Sequence, residues 1–392
     1  MASNMTAVGL FAGIGGIERG LSRAGVQAEL LCEVDPGAVA VLRRRMPQVP
    51  VHLDIRELES IPSVDVVAAG FPCQDLSQAG RTAGIHGERS GLIQHALRLI
   101  RKPASAPKWL LLENVPFMLQ LDRGRAMLYL TTALEELGFT WAYRVVDARA
   151  FGLPQRRLRV VLLASRTEDP RSVLFADNAA PRMAADPTRH ACGFYWTEGT
   201  RGLGWAVDAV PTLKGGSTIG IASPPAIRLA ASRTLVTPSI EDAERLQGFP
   251  VGWTAPSVDD AGSRKGHRWK LVGNAVSVPM AQWVGRRLAD PGRYDVGAGV
   301  PLPAGSPWPT AAWGHSGATF RAPVTQWPIR TRYKHLESFV RKPVPLSRRA
   351  TAGFLSRAES GNLRFVDGFL EDVRTHLARA AEQALAFSPS SP

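Results

Sequence analysis

The sequence predicts an α/β fold: a doubly wound sheet, a smaller irregular domain and a C-terminal extension. Three observations lead there. Through about the first 165 residues, apolar runs of strand length alternate with helical patterns. The first run enters a glycine turn and a helix start, LFAGIGGIERGL (10–21). After Ser165 the pattern dissolves into a stretch rich in Gly, Pro and Thr, and helical periodicity returns only near residue 239. The domains expected are 1–165 together with 266–292, then 166–265, then 293–392.

Taken in order, strands are expected at TAVGL (6–10), AELLCEV (28–34), VDVVAAG (64–70), WLLLENV (109–115), FTWAYRVV (139–146) and LRVVLLAS (158–165). Helices are expected near 16–24, 36–45, 91–101 and 124–137. Within 91–101, Leu92, Ala96 and Leu99 recur at helical spacing, with Arg98 able to face solvent. The irregular domain holds an aromatic cluster, GFYWTEGTRGLGW, and a turn-rich stretch, PTLKGGSTIGIASPP. SIEDAERL then reads as a helix capped by Ser239, with Pro238 sharpening its start. A last apolar helix follows GNAVSVPM and runs to about residue 289. From there to about residue 330 the Pro/Gly-rich chain predicts a loose connection. A basic patch, IRTRYKHLESFVRKPVPLSRR, precedes a helical C-terminus with Phe365, Phe369, Val373 and Leu377 on one face.

Composition narrows the function classes. With 47 Lys and Arg against 34 acids, the chain carries a formal charge of +13, which favours a polyanionic partner such as nucleic acid. No apolar run approaches the ~18 residues of a membrane span, and the start lacks the basic residues of a signal peptide, so a cytoplasmic protein without a membrane partner is expected. Three scattered cysteines, Cys32, Cys73 and Cys192, offer neither a disulfide framework nor local metal-ligand spacing, so no metal is expected.

Four constellations carry chemistry. Gly13 and Gly15 let the backbone approach a ligand closely, and Glu33, about 20 residues on, stands where an acid binds ribose hydroxyls. Asp54 ends the third unit, where it either accepts from an adenine amine or supports the loop. In GFPCQ, Pro72 fixes the chain and holds Cys73 at a strand's carboxyl end, where open α/β sheets bind ligands. The loop that follows, QDLSQAGRTAGIHGERS, has the composition of a lid. WLLLENV ends in Glu113 and Asn114, a carboxylate placed at some cost after four apolar residues. In PQRRLRV, Arg157 and Arg159 project to one face of an extended chain. Cations beside a thiol lower its pKa.

The order LFAGIGG, Glu33, Asp54-Ile55, GFPCQ, ENV, QRRLR, RLQGFP and GNAV closely resembles the DNA cytosine-5 methyltransferases of bacterial restriction–modification type. The resemblance covers roughly residues 6–290; the ~100 residues beyond it have no counterpart in the family pattern.

The resemblance implies a Rossmann-like, S-adenosylmethionine-dependent methyltransferase fold and transfer of a methyl group to C5 of cytosine. Cys73 matches the nucleophile that adds to C6 of a flipped-out base, and Glu113 the acid at N3 and the exocyclic amine. Arg159 matches the contact to O2, and Arg157 lies beside the thiolate. Phe11, Gly13, Gly15, Glu33, Asp54, Ile55, Leu92 and Asn274 match positions that bind the methyl donor, S-adenosyl-L-methionine. Gln74, Ser77 and Arg89 fall in the lid. Residues 166–265 fall where the family reads its target, with Arg201, Lys214, Trp196 and Trp205 as groove-reading candidates. Double-stranded DNA is the implied partner, for a monomer, alongside a cognate restriction endonuclease. The basic extension is expected to add nonspecific DNA affinity. Three other readings compete: an RNA cytosine-5 methyltransferase, a nicotinamide-dependent dehydrogenase, and a non-catalytic DNA-binding protein on a methyltransferase scaffold. The dehydrogenase leaves PCQ, ENV and QRRLR unexplained, and intact Cys73 and Glu113 argue against the last.

Overall fold

A computed structural model describes residues 5–71, 91–101, 106–200, 202–215 and 222–386. The strands of the first half are β1 (Thr6–Leu10), β2 (Gln27–Cys32), β3 (Val51–His52), β4 (Val66–Ala69), β5 (Trp109–Asn114), β6 (Thr140–Asp147), β7 (Gln155–Arg156) and β8 (Leu158–Ser165). Those of the second half are β9 (Cys192–Phe194), β10 (Ala206–Val207), β11 (Val210–Pro211), β12 (Ala226–Arg228), β13 (Leu235–Thr237), β14 (Val300–Pro301), β15 (Ala311–His315), β16 (Ala318–Arg321) and β17 (Val344–Pro345). The main sheet runs β14-β16-β15-β6-β8-β5-β4-β1-β2-β3. β3, β2, β1, β4 and β5 are mutually parallel, while β8 is antiparallel to both β5 and β6.

Side-chain alternation divides this sheet into two apolar faces. Val8, Val67, Leu110 and Leu112 pack beneath helices α3 (Leu92–Arg101) and α4 (Arg125–Glu136). Ala7, Val66, Ala68, Trp109 and Leu111 face the other way, against α1 (Gly16–Ser22) and α7 (Val278–Ala289). The helix after GNAV thus returns to lie beside the first helix. Gly16 permits it: a Cβ there would stand 2.3 Å from the Val276 carbonyl oxygen. Helix α2 (Pro36–Arg45) starts on an Asp35 cap that accepts the Gly37 and Ala38 N–H groups. Helix α5 (Ile240–Leu246) starts on the expected Ser239 cap, 3.1 Å from the Asp242 amide, and α6 (His267–Asn274) leads into α7.

Two sequence expectations are corrected here. Arg98 does not simply face solvent but donates to the carbonyls of Leu58 and Ile55, at 2.8 and 3.3 Å. Residues 300–321 are no loose connection: β14, β15 and β16 extend the main sheet beyond β6. Prolines at 301, 303, 307 and 309 flank these short strands without interrupting β15 or β16, so Pro density hid them. The hairpin turns at Ser316 and Gly317, both at positive φ as a type I′ turn requires.

The smaller sheet runs β10-β9-β12-β13-β17, and its last strand comes from the C-terminal extension. Helices α8 (Arg348–Ser360) and α9 (Phe369–Ala386) complete its core, where Phe354, Phe369 and Val373 pack on Phe194, Ala226 and Leu235. A buried ion pair, Arg228 Nε to Asp372 at 2.6 Å, locks the two parts together. Phe365 lies ahead of α9 and stacks on Phe369, 5.7 Å between centroids. Among the described residues no helix is long and apolar enough to cross a membrane.

Candidate active site

Glu113 is the third residue on one face of β5 after Trp109 and Leu111, so the alternation that buries those two side chains also buries the carboxylate. Arg159 reaches it from antiparallel β8, whose residue Val161 stands opposite Glu113. Arg159 Nε lies 2.8 Å from Glu113 Oε1, with both side chains about 10% exposed. This is a charge contact rather than an aligned hydrogen bond, and Oε1 accepts none among the described residues. The other carboxylate oxygen lies over Gly70, 3.5 Å from where a Cβ would stand. Burial pushes the Glu113 carboxyl above the usual carboxylate range, against the pull of the Arg159 and Arg157 guanidinium groups.

Asn114, the next residue, donates from Nδ2 to the Phe71 carbonyl at 3.0 Å and accepts the Val115 N–H. It thereby fixes the chain two residues before Cys73. Cys73 itself, with Gln74, Ser77 and Arg89, lies outside the described residues, as does Arg201. The two remaining cysteines are buried thiols. Burial, aided by the Glu33 and Asp54 carboxylates, pushes Cys32 up to about 12; burial pushes Cys192 up to about 11. Neither is a nucleophile at neutral pH.

Arg157 is fully buried and spends its terminal nitrogens on main-chain carbonyls: Leu213 at 3.2 Å, Gly273 at 3.1 Å and Ala275 at 2.7 Å. It ties β8's approach to the GNAV turn, a role its sequence spacing does not reveal. Gln155 and Gln247 extend the same clip. Gln155 donates to the Leu246 carbonyl and accepts from the Leu213 amide; Gln247 donates to the Val272 carbonyl and accepts from the Ser277 hydroxyl. This buried network joins QRRLR, RLQGFP and GNAV in one unit.

At the carboxyl ends of β1, β2 and β3 opens a cavity of about 280 Å³, lined by Phe11, Cys32, Glu33, Val34, Leu53, Asp54, Ile55, Arg56 and Leu92. Five of the predicted donor-binding residues, Phe11, Glu33, Asp54, Ile55 and Leu92, are brought together here. Gly13 joins through its N–H, 2.7 Å from Glu33 Oε2; Gly15 and Asn274 do not line the cavity. Glu33 Oε1 accepts the Val34 and Asp35 N–H groups. Phe11, Gly13 and Gly15 all sit at positive φ, a turn that only the two glycines adopt without strain. Asp54 accepts the Arg56 amide and is clasped by its guanidinium, which holds the carboxyl down at about 2. Of its two expected roles, loop support is the one the geometry displays. Val34, Leu53 and Arg56 were missed; β3 is only two residues long and carries no apolar period to announce them.

Of the groove-reading candidates, Trp205 packs in the smaller core, 5.0 Å from Phe369, and Trp196 donates from Nε1 to the Pro224 carbonyl. Lys214 pairs with Glu198 at 2.5 Å and lies 3.7 Å from the Tyr195 ring centroid.

A parallel half-sheet in the order β3-β2-β1-β4-β5, a ligand cavity at its strand ends and a buried Glu–Arg pair beside it define a Rossmann-like methyltransferase fold. The structure is similar to S. pombe Dnmt2 methyltransferase, with a TM-score of 0.52 at 15% identity, over 73% of this chain and 98% of that one. The C-5 cytosine-specific DNA methylase family pattern matches residues 5–190. Type II methyltransferase M2.BsuMI of Bacillus subtilis (strain 168) is 49% identical over 380 residues, which cover 94% of this chain and 97% of that protein. Type II methyltransferase M.BsuFI of Bacillus subtilis is 38% identical over 161 residues, 41% of this chain and 39% of that one. The chain belongs to the C-5 cytosine-specific DNA methylase family. At 94% of this chain, the likeness to M2.BsuMI reaches into the C-terminal extension, where the general motif order of the family has ended.

Proposed function

We propose that the chain methylates C5 of a cytosine flipped out of a specific duplex DNA sequence, through a covalent adduct between Cys73 and C6. The observation that carries this reading is the buried Glu113–Arg159 pair beside Gly70, three residues before the one cysteine not accounted for as a buried thiol. S-adenosylmethionine, when bound, supplies an electrophilic methyl group. The cavity residues suit it. Phe11, Leu53, Ile55 and Leu92 offer apolar walls to a purine, and Glu33 retains acceptor capacity for ribose hydroxyls beyond its three backbone partners.

The chain's own residues act as follows. The Cys73 thiolate forms a bond to C6 as the C5=C6 pair moves onto C5. Glu113, its carboxyl raised by burial, holds a proton toward N3 and accepts from the exocyclic amine, which stabilises charge developing in the ring. Arg159 contacts O2 and keeps Glu113 in place. Arg157 contributes its positive field, since its terminal nitrogens are committed to the GNAV turn. C5 takes the methyl group. Its proton then leaves to solvent, the pair reforms C5=C6, and the Cys73 thiolate departs.

Gln74, Ser77 and Arg89 belong to the lid over the flipped base, and Asn274 and Gly15 support the donor site from the neighbouring turns. Residues 166–265 read the target, completed by the C-terminal helices, and 1–165 with 266–292 carry catalysis. The enzyme acts in the cytoplasm as a monomer on DNA, and its product protects that DNA from a cognate restriction endonuclease. Expression in a host lacking cytosine methylation, followed by genome-wide mapping of 5-methylcytosine, tests the reading. A single methylated sequence motif supports it. Folded protein with unmodified DNA refutes it, and 5-methylcytosine in RNA instead moves the substrate to the other branch.

A further inference from the structure

Away from Glu113, three side chains from distant parts of the chain converge. One ligand atom from each of His190, Asp208 and His335 lies within 4.8 Å of the other two. We propose that they bind a divalent transition metal ion, zinc by the character of the donors, which pins residues 333–339 to the smaller sheet. Two imidazoles and a carboxylate form a donor set that zinc accepts, with a water in the fourth position.

Each ligand is held in advance. Asp208, buried and at φ +52°, hydrogen-bonds through its backbone N–H to the Ala191 carbonyl at 2.8 Å. Its Oδ1 accepts the Leu336 N–H at 2.9 Å, and its Oδ2 faces His335 Nδ1 at 2.7 Å. The Tyr333 hydroxyl donates to the Asp208 carbonyl. His190 Nδ1 lies 3.1 Å from the Asp186 carbonyl, which accepts its N–H and leaves Nε2 with the lone pair. The His190 and His335 rings stand 5.1 Å apart at 35°. His335 is exposed, so the site has a path from solvent and a side chain free to swing inward. Donors around a tetrahedral zinc with bonds of about 2.0–2.1 Å stand roughly 3.4 Å apart, so the widest pair, within 4.8 Å, would close by at most about 1.4 Å and the Asp208–His335 pair, at 2.7 Å, would open by about 0.7 Å. On binding, His335 adopts the neutral tautomer protonated at Nε2, so that the Nδ1 lone pair meets the metal in place of the hydrogen bond to Asp208.

The ligands escape a reading by spacing, since Asp208 and His335 are 127 residues apart. The metal would join a loop ahead of β9, the turn after β10 and the arm leading to β17. It would thus stiffen the connection between the smaller sheet and the C-terminal helices.

The test uses the full-length protein, stripped with a chelator and titrated with zinc alone. Stoichiometry is read by elemental mass spectrometry, affinity by competition with a chromophoric chelator, and stability by thermal midpoint with and without zinc. The expected result is one zinc per chain, bound at least about 100-fold more weakly by His335→Gln and His190→Gln, with a zinc-dependent rise in midpoint seen only in the wild type. Because His335 is exposed, its substitution leaves the fold intact, which far-ultraviolet circular dichroism verifies. Substoichiometric zinc in the wild type, or unchanged affinity in both variants, overturns the proposal whatever the outcome for methylation.

Discussion

Replacing Glu113 by Gln keeps the shape of the side chain and removes its charge and its transferable proton. At 2.8 Å, and with an effective dielectric constant of about 20, the gross attraction to Arg159 is about 6 kcal/mol. Desolvation of two buried ions offsets much of this, so the intact pair contributes little net stability. Removing one partner is another matter. Among the described residues the Arg159 guanidinium would keep the Leu158 carbonyl, at 2.7 Å, and face a neutral amide, neither of which compensates its charge. An uncompensated buried charge of this kind costs about 3–5 kcal/mol, which urea denaturation of Glu113→Gln should show. The double variant Glu113→Gln/Arg159→Gln should recover part of that loss. Activity should behave differently. Single-turnover methyl transfer to duplex DNA should fall about 10²–10⁴-fold in Glu113→Gln, because the amide cannot pass a proton to N3, and the double variant should not regain it. Methylation within about threefold of wild type, with the fold unchanged, would refute the assigned role.

Three further outcomes follow from the packing and charge of the chain. Asp372→Ala strands the buried Arg228 and should cost about 3–5 kcal/mol, measured by denaturation, although it lies far along the chain from β12. Burial, with a contribution from the Glu33 charge, raises the Glu18 carboxyl to about 7. The folded state therefore binds this proton more tightly than the unfolded one, so stability is greatest below about 4.5 and falls as pH rises through about 7. Glu18→Gln should abolish that fall and be more stable than wild type by about 3 kcal/mol at pH 8, read from denaturation across pH 4 to 8. Exposed Arg341, Lys342, Arg348 and Arg349 should bind phosphate. Changing all four to Gln should flatten the log–log salt dependence of DNA binding by about 0.9 for each phosphate no longer neutralised. Truncation at residue 295 is a poor substitute for this test, because it removes β14–β17 and the core residues Phe354 and Phe369.

Much of the site was legible because its chemistry sits where strands end. Glu113 follows an unbroken apolar run, and Glu33 and Asp54 follow the ends of β2 and β3, whereas Phe11, Ile55 and Leu92 were reached only through the family resemblance. Arg157 was legible as a cation but not as a clip, because its acceptors are backbone carbonyls more than 50 residues away. The C-terminal half of the fold was harder. β14, β15 and β17 lie among prolines that locally signal loops, and their pairing with β16, β6 and β13 is set by edges that only the folded sheets create. Arg144 illustrates the same limit. Nothing in the local pattern of β6 announces that it is buried on the carbonyls of Leu174, Asp177 and Thr325. Those acceptors belong to chain segments that fold back over the strand.

The central claim is a covalent bond between Cys73 and C6 of the target base. A duplex carrying 5-fluorocytosine at the methylated position cannot lose its C5 substituent after methyl transfer, so the adduct cannot resolve. Incubated with S-adenosylmethionine and this duplex, the wild-type protein should form a denaturation-resistant complex whose mass equals protein plus methylated DNA, with the crosslinked peptide containing Cys73. Cys73→Ser should bind the duplex and form none. A wild-type enzyme that methylates ordinary cytosine but leaves no adduct, or an adduct that persists in Cys73→Ser, would contradict the account.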